Sequence, residues 1–362
     1  MNALSQIIRA ETAVTGVLPF ARFMELALYC PVHGYYETQK DNIGRGGDFI
    51  TSISTGGLFG QLLAFQFAGW LENDARSQKP EVRIVESGAH DGKLAADILD
   101  WLRLNRPELF ARLEYCLIEP SVRRREWQRE TLKQFAPRVR WFADFDSLKI
   151  KNQKSKPAGI IFSNELLDAM PVHRHGWDAK NKKWFEWGVA VEGGKFVWAK
   201  IQNPESRIQN PGLESVLPDG YTMETSPAAE NWWREAAGIL EHGKLVAIDY
   251  GLTADELFSP ARTTGTLRAY FRQHVSDDLL ANVGEQDLTA HVNFSAIQKA
   301  GEEAGLKTEM FSTQAKFLTQ ILEKTLPDKT FGEWNARRGR QFQTLTHPEH
   351  LGRAFRVLVQ SR

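Results

Sequence analysis

Four short apolar runs in this 362-residue chain each end in a carboxylate, and that spacing is the first feature capable of chemistry. "VRIVES" carries Glu86, "EYCLIEP" carries Glu119, "VRWFADF" carries Asp144, and "GIIFSNEL" carries Asn164 and Glu165. Each run has the length of a buried strand, and helix-like stretches separate them. Their polar ends would therefore gather along one edge of a parallel sheet. A single acid at a strand end is often a helix cap. Four in succession at one edge point instead to a ligand crevice. Gly88 and Gly92 follow the first run, in "ESGAHDGK". A phosphate loop is excluded, because only three residues separate these glycines and Leu94 follows Lys93 where a hydroxyl is needed. A dinucleotide fingerprint is excluded too, since His90 and Lys93 occupy its remaining glycine places.

The reading that survives is the acid-x-Gly-x-Gly-x-Gly loop that holds S-adenosylmethionine (SAM). Glu86, Gly88 and Gly92 stand at its acid and two of its glycines, and His90 takes the middle glycine's place. SAM carries no phosphate, so close backbone approach matters more there than anion gripping. Glu119 would take both ribose hydroxyls, Asp144 would accept from the adenine amino group, and Asn164 and Glu165 would face the open edge. A negative φ, usual for a side chain other than glycine, would turn His90 away from the ligand.

Composition narrows the class. Acids and bases balance at 45 each, which gives nucleic acid no electrostatic footing. Cys30 and Cys116 are isolated, so neither a disulfide framework nor a zinc ribbon is implied. His173 and His175 form an H-x-H pair without further ligands in pattern, and no metal is expected. No G-x-S-x-G elbow supports hydrolase chemistry. The first residues, "MNALSQIIRAETAV", lack the basic start and long apolar stretch of a signal peptide. No apolar run approaches the ~20 residues of a membrane helix. The expectation is a soluble, cytoplasmic protein with no membrane insertion.

The elements that must position these groups follow from periodicity. Residues 1–30 read as two short amphipathic helices stopped by Pro31, and a helix is expected near 58–75. "KWFEWGVAVEGGKFVWAKI" alternates with period two around Gly193-Gly194, which marks a hairpin. A helix over 228–240, the strand "KLVAIDYG", a helix near 295–304 and two late strands complete the pattern. The expected fold is α/β, a Rossmann-like SAM-dependent methyltransferase fold with a doubly wound, mostly parallel sheet and hairpin and helical insertions. Residues 1–80 would complete the cofactor site, 81–170, 228–251 and 296–362 would form the core, and 171–227 and 252–295 would roof it.

Several segments together resemble the MidA family of SAM-dependent methyltransferases, related to the mitochondrial complex I assembly-factor arginine methyltransferase. They are "FMELALYCPVHGYY", "GDFITS", "FGQLLA", "ESGAHDGKLAADIL", "LIEPS", "SNELLDAMPV", "IDYG" and "GTLRAYFRQH…GEQDLTAHVNFSAI". The resemblance implies a cofactor pocket that adds Gly47, Asp48, Thr51 and Ser52 to the glycine loop and Glu119. It also implies catalytic parts for Glu165, Asp168, Asp287 and His291. Ile53 and His90 depart from the family pattern, standing where it has proline and glycine. The implied activity is methylation of an exposed arginine in a protein partner, a respiratory complex I subunit being the candidate. A SAM-binding module acting only in protein assembly, or a small-molecule O- or N-methyltransferase, are the alternatives.

Overall fold

The four apolar runs become neighbouring strands whose alternate side chains leave on opposite faces. The computed structural model describes residues 2–38, 51–73, 82–151, 158–201, 216–272, 274–326, 330–332 and 334–362. Seven strands make the main sheet: β1 (Val82–Ser87), β2 (Leu113–Ile118), β3 (Val139–Phe142), β4 (Ala158–Asn164), β5 (His242–Leu252), β6 (Lys307–Thr313) and β7 (Phe355–Ser361). Their order is β6-β7-β5-β4-β1-β2-β3, and a short eighth strand, Val292–Asn293, pairs with the end of β5. The first five strands run parallel, and β7 is antiparallel to both its neighbours, so the sheet is mixed.

Both faces are covered, which is why these strands read as continuous apolar runs. Ile84, Tyr115, Leu117, Ile160, Phe162 and Ile248 pack with helices Leu58–Asn73, Lys93–Asn105 and Gln314–Thr325. Val85, Cys116, Ile118, Ile161 and Ala247 leave on the other face, against Pro227–Ile239 and Phe294–Glu303. The architecture is α/β with a mixed central sheet, and it leaves the carboxyl ends of β1 to β5 on one edge.

Two smaller sheets lie outside the main one. Strands His173–Asp178, Lys183–Glu192, Lys195–Ile201 and Thr222–Thr225 form an antiparallel sheet, joined at Lys183–Glu192 by Leu18–Pro19 from the N-terminus. Phe20 and Phe23 of the N-terminal helix Phe20–Tyr29 meet Trp198 and Phe196 of that sheet at 5.0 and 5.8 Å. The expected helical insertion at 252–295 is corrected. Apart from one turn of helix at Ala254–Leu257, the region is built on a three-stranded antiparallel sheet of Arg268–Phe271, His274–Ser276 and Asp287–Thr289. Its strands are three or four residues long, and Ala269 and Leu288 are buried from them into the neighbouring core.

Gly159 and Gly243 are the second residues of β4 and β5, with φ of 145° and 120°. A Cβ would stand 2.0 Å from the Arg83 carbonyl oxygen at the first, and 1.9 Å from that of Gly159 at the second. Neither backbone can retreat without opening a ladder. Gly159→Ala should therefore destabilise the fold by about 1–3 kcal/mol. Denaturant unfolding checks this, and an unchanged midpoint would contradict the β1–β4 register.

Candidate active site

The carboxyl edge of the sheet opens into a cavity of about 780 Å³. Its walls come from several parts of the chain. The N-terminal segment gives Tyr29, Val32, Tyr36 and Glu37, the glycine loop gives Ser87, Gly88 and His90, and the segment after β2 gives Glu119 to Arg124. The ends of β3 and β4 add Asp144, Phe145, Glu165, Leu166 and Ala169, with Trp232 beyond them. A second cleft of about 610 Å³ lies at the opposite edge, beside Gly159 and Gly243, and none of the strand-end acids lines it.

The glycine loop is tight. Gly88 has φ 76°, and a Cβ there would lie 2.8 Å from Leu166 Cδ1. Gly92, at φ 85°, caps helix Lys93–Asn105. His90 lines the cavity at φ 45°, so the negative φ expected for it is not found. Its carbonyl accepts from Gln128 Nε2 at 3.0 Å and its ring lies 6.0 Å from Trp127, contacts that hold a left-handed residue in place. Glu86 does not line the cavity. It leaves β1 on the Ile84 face and accepts from the Tyr115 hydroxyl at 2.6 Å. Burial raises its pKa to about 8, the tyrosine bond opposing.

Glu119 is 1% exposed and faces the cavity. Its Oε1 accepts from Ser121 N at 2.9 Å and Arg124 Nε at 3.0 Å, and its Oε2 accepts from Gln128 Nε2 at 3.2 Å. A carboxylate offers about four acceptor positions. One is left for a hydroxyl while these donors stay. Burial raises the Glu119 pKa and the Arg124 guanidinium opposes it. Asp144 also lines the cavity, exposed, and its Oδ1 accepts from Ser147 N at 2.7 Å, so it is a helix cap as well.

At the end of β4, Glu165 has φ 52° and its Oε1 accepts from Ser52 N at 3.1 Å and Asn164 Nδ2 at 3.2 Å. Its Oε2 is buried and has no hydrogen-bond partner among the described residues. Burial raises the Glu165 pKa to about 8, against the Ser52 bond, and Asp249 adds to the rise. Asp249, at the end of β5, is fully buried and was missed as a site residue, although "IDYG" repeats the strand-end rule. Its Oδ2 accepts from Leu166 N and Leu167 N at 3.0 and 2.8 Å, and its Oδ1 from Tyr250 N at 2.8 Å. Burial lifts it to about 6 despite those bonds. Asp168 joins this group, raised well above the usual range first by burial, then by Asp249, Asp287 and Glu165.

The remaining candidates scatter. Asp287 is fully buried off the cavity wall and accepts from the Tyr36 hydroxyl at 2.9 Å and from Leu288 N at 3.0 Å. Asn164 is buried beside Glu165, off the wall. Ser52 reaches Glu165 through its backbone, while Thr51 bonds within its own turn to Ser54. His291 lies off the cavity wall, its N–H donating to Thr266 Oγ1 at 3.1 Å. Gly47 and Asp48 lie outside the described residues. The H-x-H pair is separately engaged, His173 with Glu186 at 2.6 Å and His175 with Thr225 at 3.0 Å.

Comparison with known proteins defines the class first. Residues 62–312 match the model of a family described as S-adenosyl-L-methionine-dependent methyltransferases, and the chain belongs to that family. A candidate methyl transferase of Burkholderia thailandensis, crystallised with S-adenosyl-homocysteine, superimposes with a TM-score of 0.84 at 34% identity. The match covers 99% of this chain and 92% of that one. Particular curated relatives are the Drosophila melanogaster homolog of protein arginine methyltransferase NDUFAF7, 27% identical over 99% of this chain and 84% of its own, and the Mus musculus protein, 28% identical over 94% and 80%. SAM is thus the cofactor. These relatives are mitochondrial, which overturns the cytoplasmic expectation. The features of a short N-terminal stretch do not determine a compartment. Among the described residues, no helix is long and apolar enough to cross a membrane.

Two outcomes follow. Glu119→Ala should weaken S-adenosyl-homocysteine binding by ~1.5–3 kcal/mol, the worth of a charge-assisted bond. Calorimetry reads this, and unchanged affinity would remove Glu119 from the cofactor site. Glu86 and Glu165 sit near 8 against an ordinary 4.5, so the folded protein holds their protons more tightly than the unfolded chain does. Stability should therefore fall as pH rises from about 4.5 to 8 and then level. Glu165→Gln should make that fall shallower in thermal melts, and an unaltered pH dependence would contradict the burial of its proton.

Proposed function

We propose that this chain transfers a methyl group from SAM to an arginine side chain of a partner protein, on a Rossmann-like, doubly wound core. The observation that carries the acceptor is the buried acidic group of Glu165, Asp168 and Asp249, in which no lysine or arginine pairs with any of the three among the described residues. Buried carboxylates without a cation are costly when ionised. A guanidinium entering beside Glu165 would supply the missing charge.

The cavity suits the cofactor. Its volume lies within the ~300–1,000 Å³ typical of ligand sites, and the bare backbone at Gly88 gives the close approach that a side chain would block. Bound SAM supplies an electrophilic methyl group on a sulfonium. Of the chain's own residues, Glu119 would accept from the ribose and Asp144 from the adenine amino group, with Glu86 supporting the glycine loop from below through Tyr115. Glu165, reached by the guanidinium, would ionise, orient it through charge-assisted hydrogen bonds, and take the proton released as the nitrogen is methylated. Asp168 and Asp249 would add negative potential, while Asp287 would fix the Tyr36 hydroxyl. Leu166, Ala169 and Tyr29 would exclude water. Ser52 and Asn164 would hold Glu165 in place, Thr51 would shape the turn carrying Ser52, and Gly47 and Asp48 are proposed for the cofactor only from the family resemblance. His291 does not line the cavity, which supports no direct part for it. The relatives' names support a protein acceptor, and a respiratory complex I subunit is the proposed partner from that resemblance.

Labelled SAM supplied with a cell lysate tests this reading. Mass spectrometry should find methylarginine on one protein, and Glu165→Gln should lose about 10²-fold or more of the rate, as for removal of a general base. Methyl groups found only on small molecules, or no transfer despite cofactor binding, would overturn the acceptor assignment.

A further inference from the structure

The N-terminal segment reaches the cofactor cavity from outside the main sheet, and one acid fastens it to the ribose side. Glu37 is 7% exposed, at the end of the short helix Tyr35–Thr38, and lines the cavity. Ser121 Oγ donates to Glu37 Oε2 at 2.9 Å, and Arg123 Nη1 donates to the Glu37 carbonyl at 2.7 Å. Arg124 Nη2 stands 3.8 Å from Glu37 Oε1. Ser121 and Arg124 are also the residues that hold Glu119 Oε1, through Ser121 N and Arg124 Nε. A residue 84 positions upstream therefore shares two donors with the acid facing the ribose. The segment's other ties go elsewhere: the Tyr29 hydroxyl to the Ala169 carbonyl at 2.9 Å, and the Tyr36 hydroxyl to Asp287.

Val32 lies on the same rim, 65% exposed and at φ 72°. A β-branched residue keeps a left-handed backbone only where its surroundings fix the chain on both sides. Here those fixtures are the turn at Cys30–Gly34, where Gly34 N donates to the Cys30 carbonyl at 2.7 Å, and the Glu37 network beyond it.

We propose that Glu37 is a positioning residue for cofactor binding. It holds Ser121 and Arg124 so that Glu119 meets the ribose with its free acceptor position, and it fastens residues 29–38 across the cavity, so that the bound cofactor leaves only after this tie opens. The role rests on the reading of Glu119 as the ribose acceptor. Charge-assisted bonds that form across a closed site slow dissociation more than they speed association.

Stopped-flow binding of S-adenosyl-homocysteine to the full chain tests it. Glu37→Ala should raise the dissociation rate about tenfold and leave the association rate within about threefold. Glu37→Gln, which keeps an acceptor for Ser121 Oγ, should fall between that variant and the parent. Hydrogen exchange should show residues 29–38 protected by the ligand in the parent and unprotected in Glu37→Ala, while the ligand-free melting temperature stays the same. If Glu37→Ala does not fold, Ser121→Ala removes the hydroxyl tie, together with the helix cap in which Ser121 Oγ accepts from Arg124 N, and should raise the dissociation rate about threefold. A dissociation rate within about twofold of the parent, or a slower association alone, overturns the role. Glu119→Ala run alongside separates the two readings. If it loses affinity while Glu37→Ala changes nothing, only the tie is wrong. If neither variant changes binding, the ribose assignment fails and takes the tie with it.

Discussion

One carboxylate organises the reacting end of this molecule. Asp249 ends β5 and receives the backbone N–H groups of Leu166 and Leu167, the first turn after β4. Those bonds bind the tips of two parallel neighbours together at the point where the chain leaves the sheet. They also keep Glu165 at φ 52°, a conformation that a glutamate holds only under such constraint. Leu166 is thereby fixed over Gly88, where its Cδ1 takes the space a Cβ would need. The glycine loop and Glu165 are thus set by the same turn.

The electrostatic cost of that arrangement is visible in the acids themselves. Burial raises Asp249 to about 6 against its backbone donors, and Glu165, with one oxygen unpartnered, to about 8. Asp249 is thus the more readily ionised of the two. On the proposed reading, an incoming cation would displace the proton from Glu165. Glu119 differs in this respect, since Arg124 already stands beside it.

How much of this was legible in the sequence depends on which physical rule fixed each residue. Gly88, Glu119, Asp144 and Glu165 were readable because strand ends in a parallel sheet share an edge, and all four line the cavity. The same rule placed Glu86 at the edge but could not choose its face. One residue of alternation sends it to Tyr115 and leaves Ser87 on the wall. Asp249 obeyed the rule too, in a strand whose acid had not been counted. His90 was misjudged because its left-handed φ is enforced by Gln128, 38 positions away. The tyrosines and Glu37 of the N-terminal segment carry no local signal, as their partners lie 84 to 251 positions along the chain. The second insertion looked irregular because three- and four-residue strands are too short for a clear period.

The central claim is that a protonated Glu165 is built to be ionised by an incoming guanidinium. Calorimetric titration of acetyl-arginine-amide into the S-adenosyl-homocysteine complex, in buffers of different ionisation enthalpy near pH 7, measures that proton directly. The account predicts release of about one proton per guanidinium bound in the parent and none in Glu165→Gln. Binding without proton release in the parent, or the same release in both proteins, would contradict it.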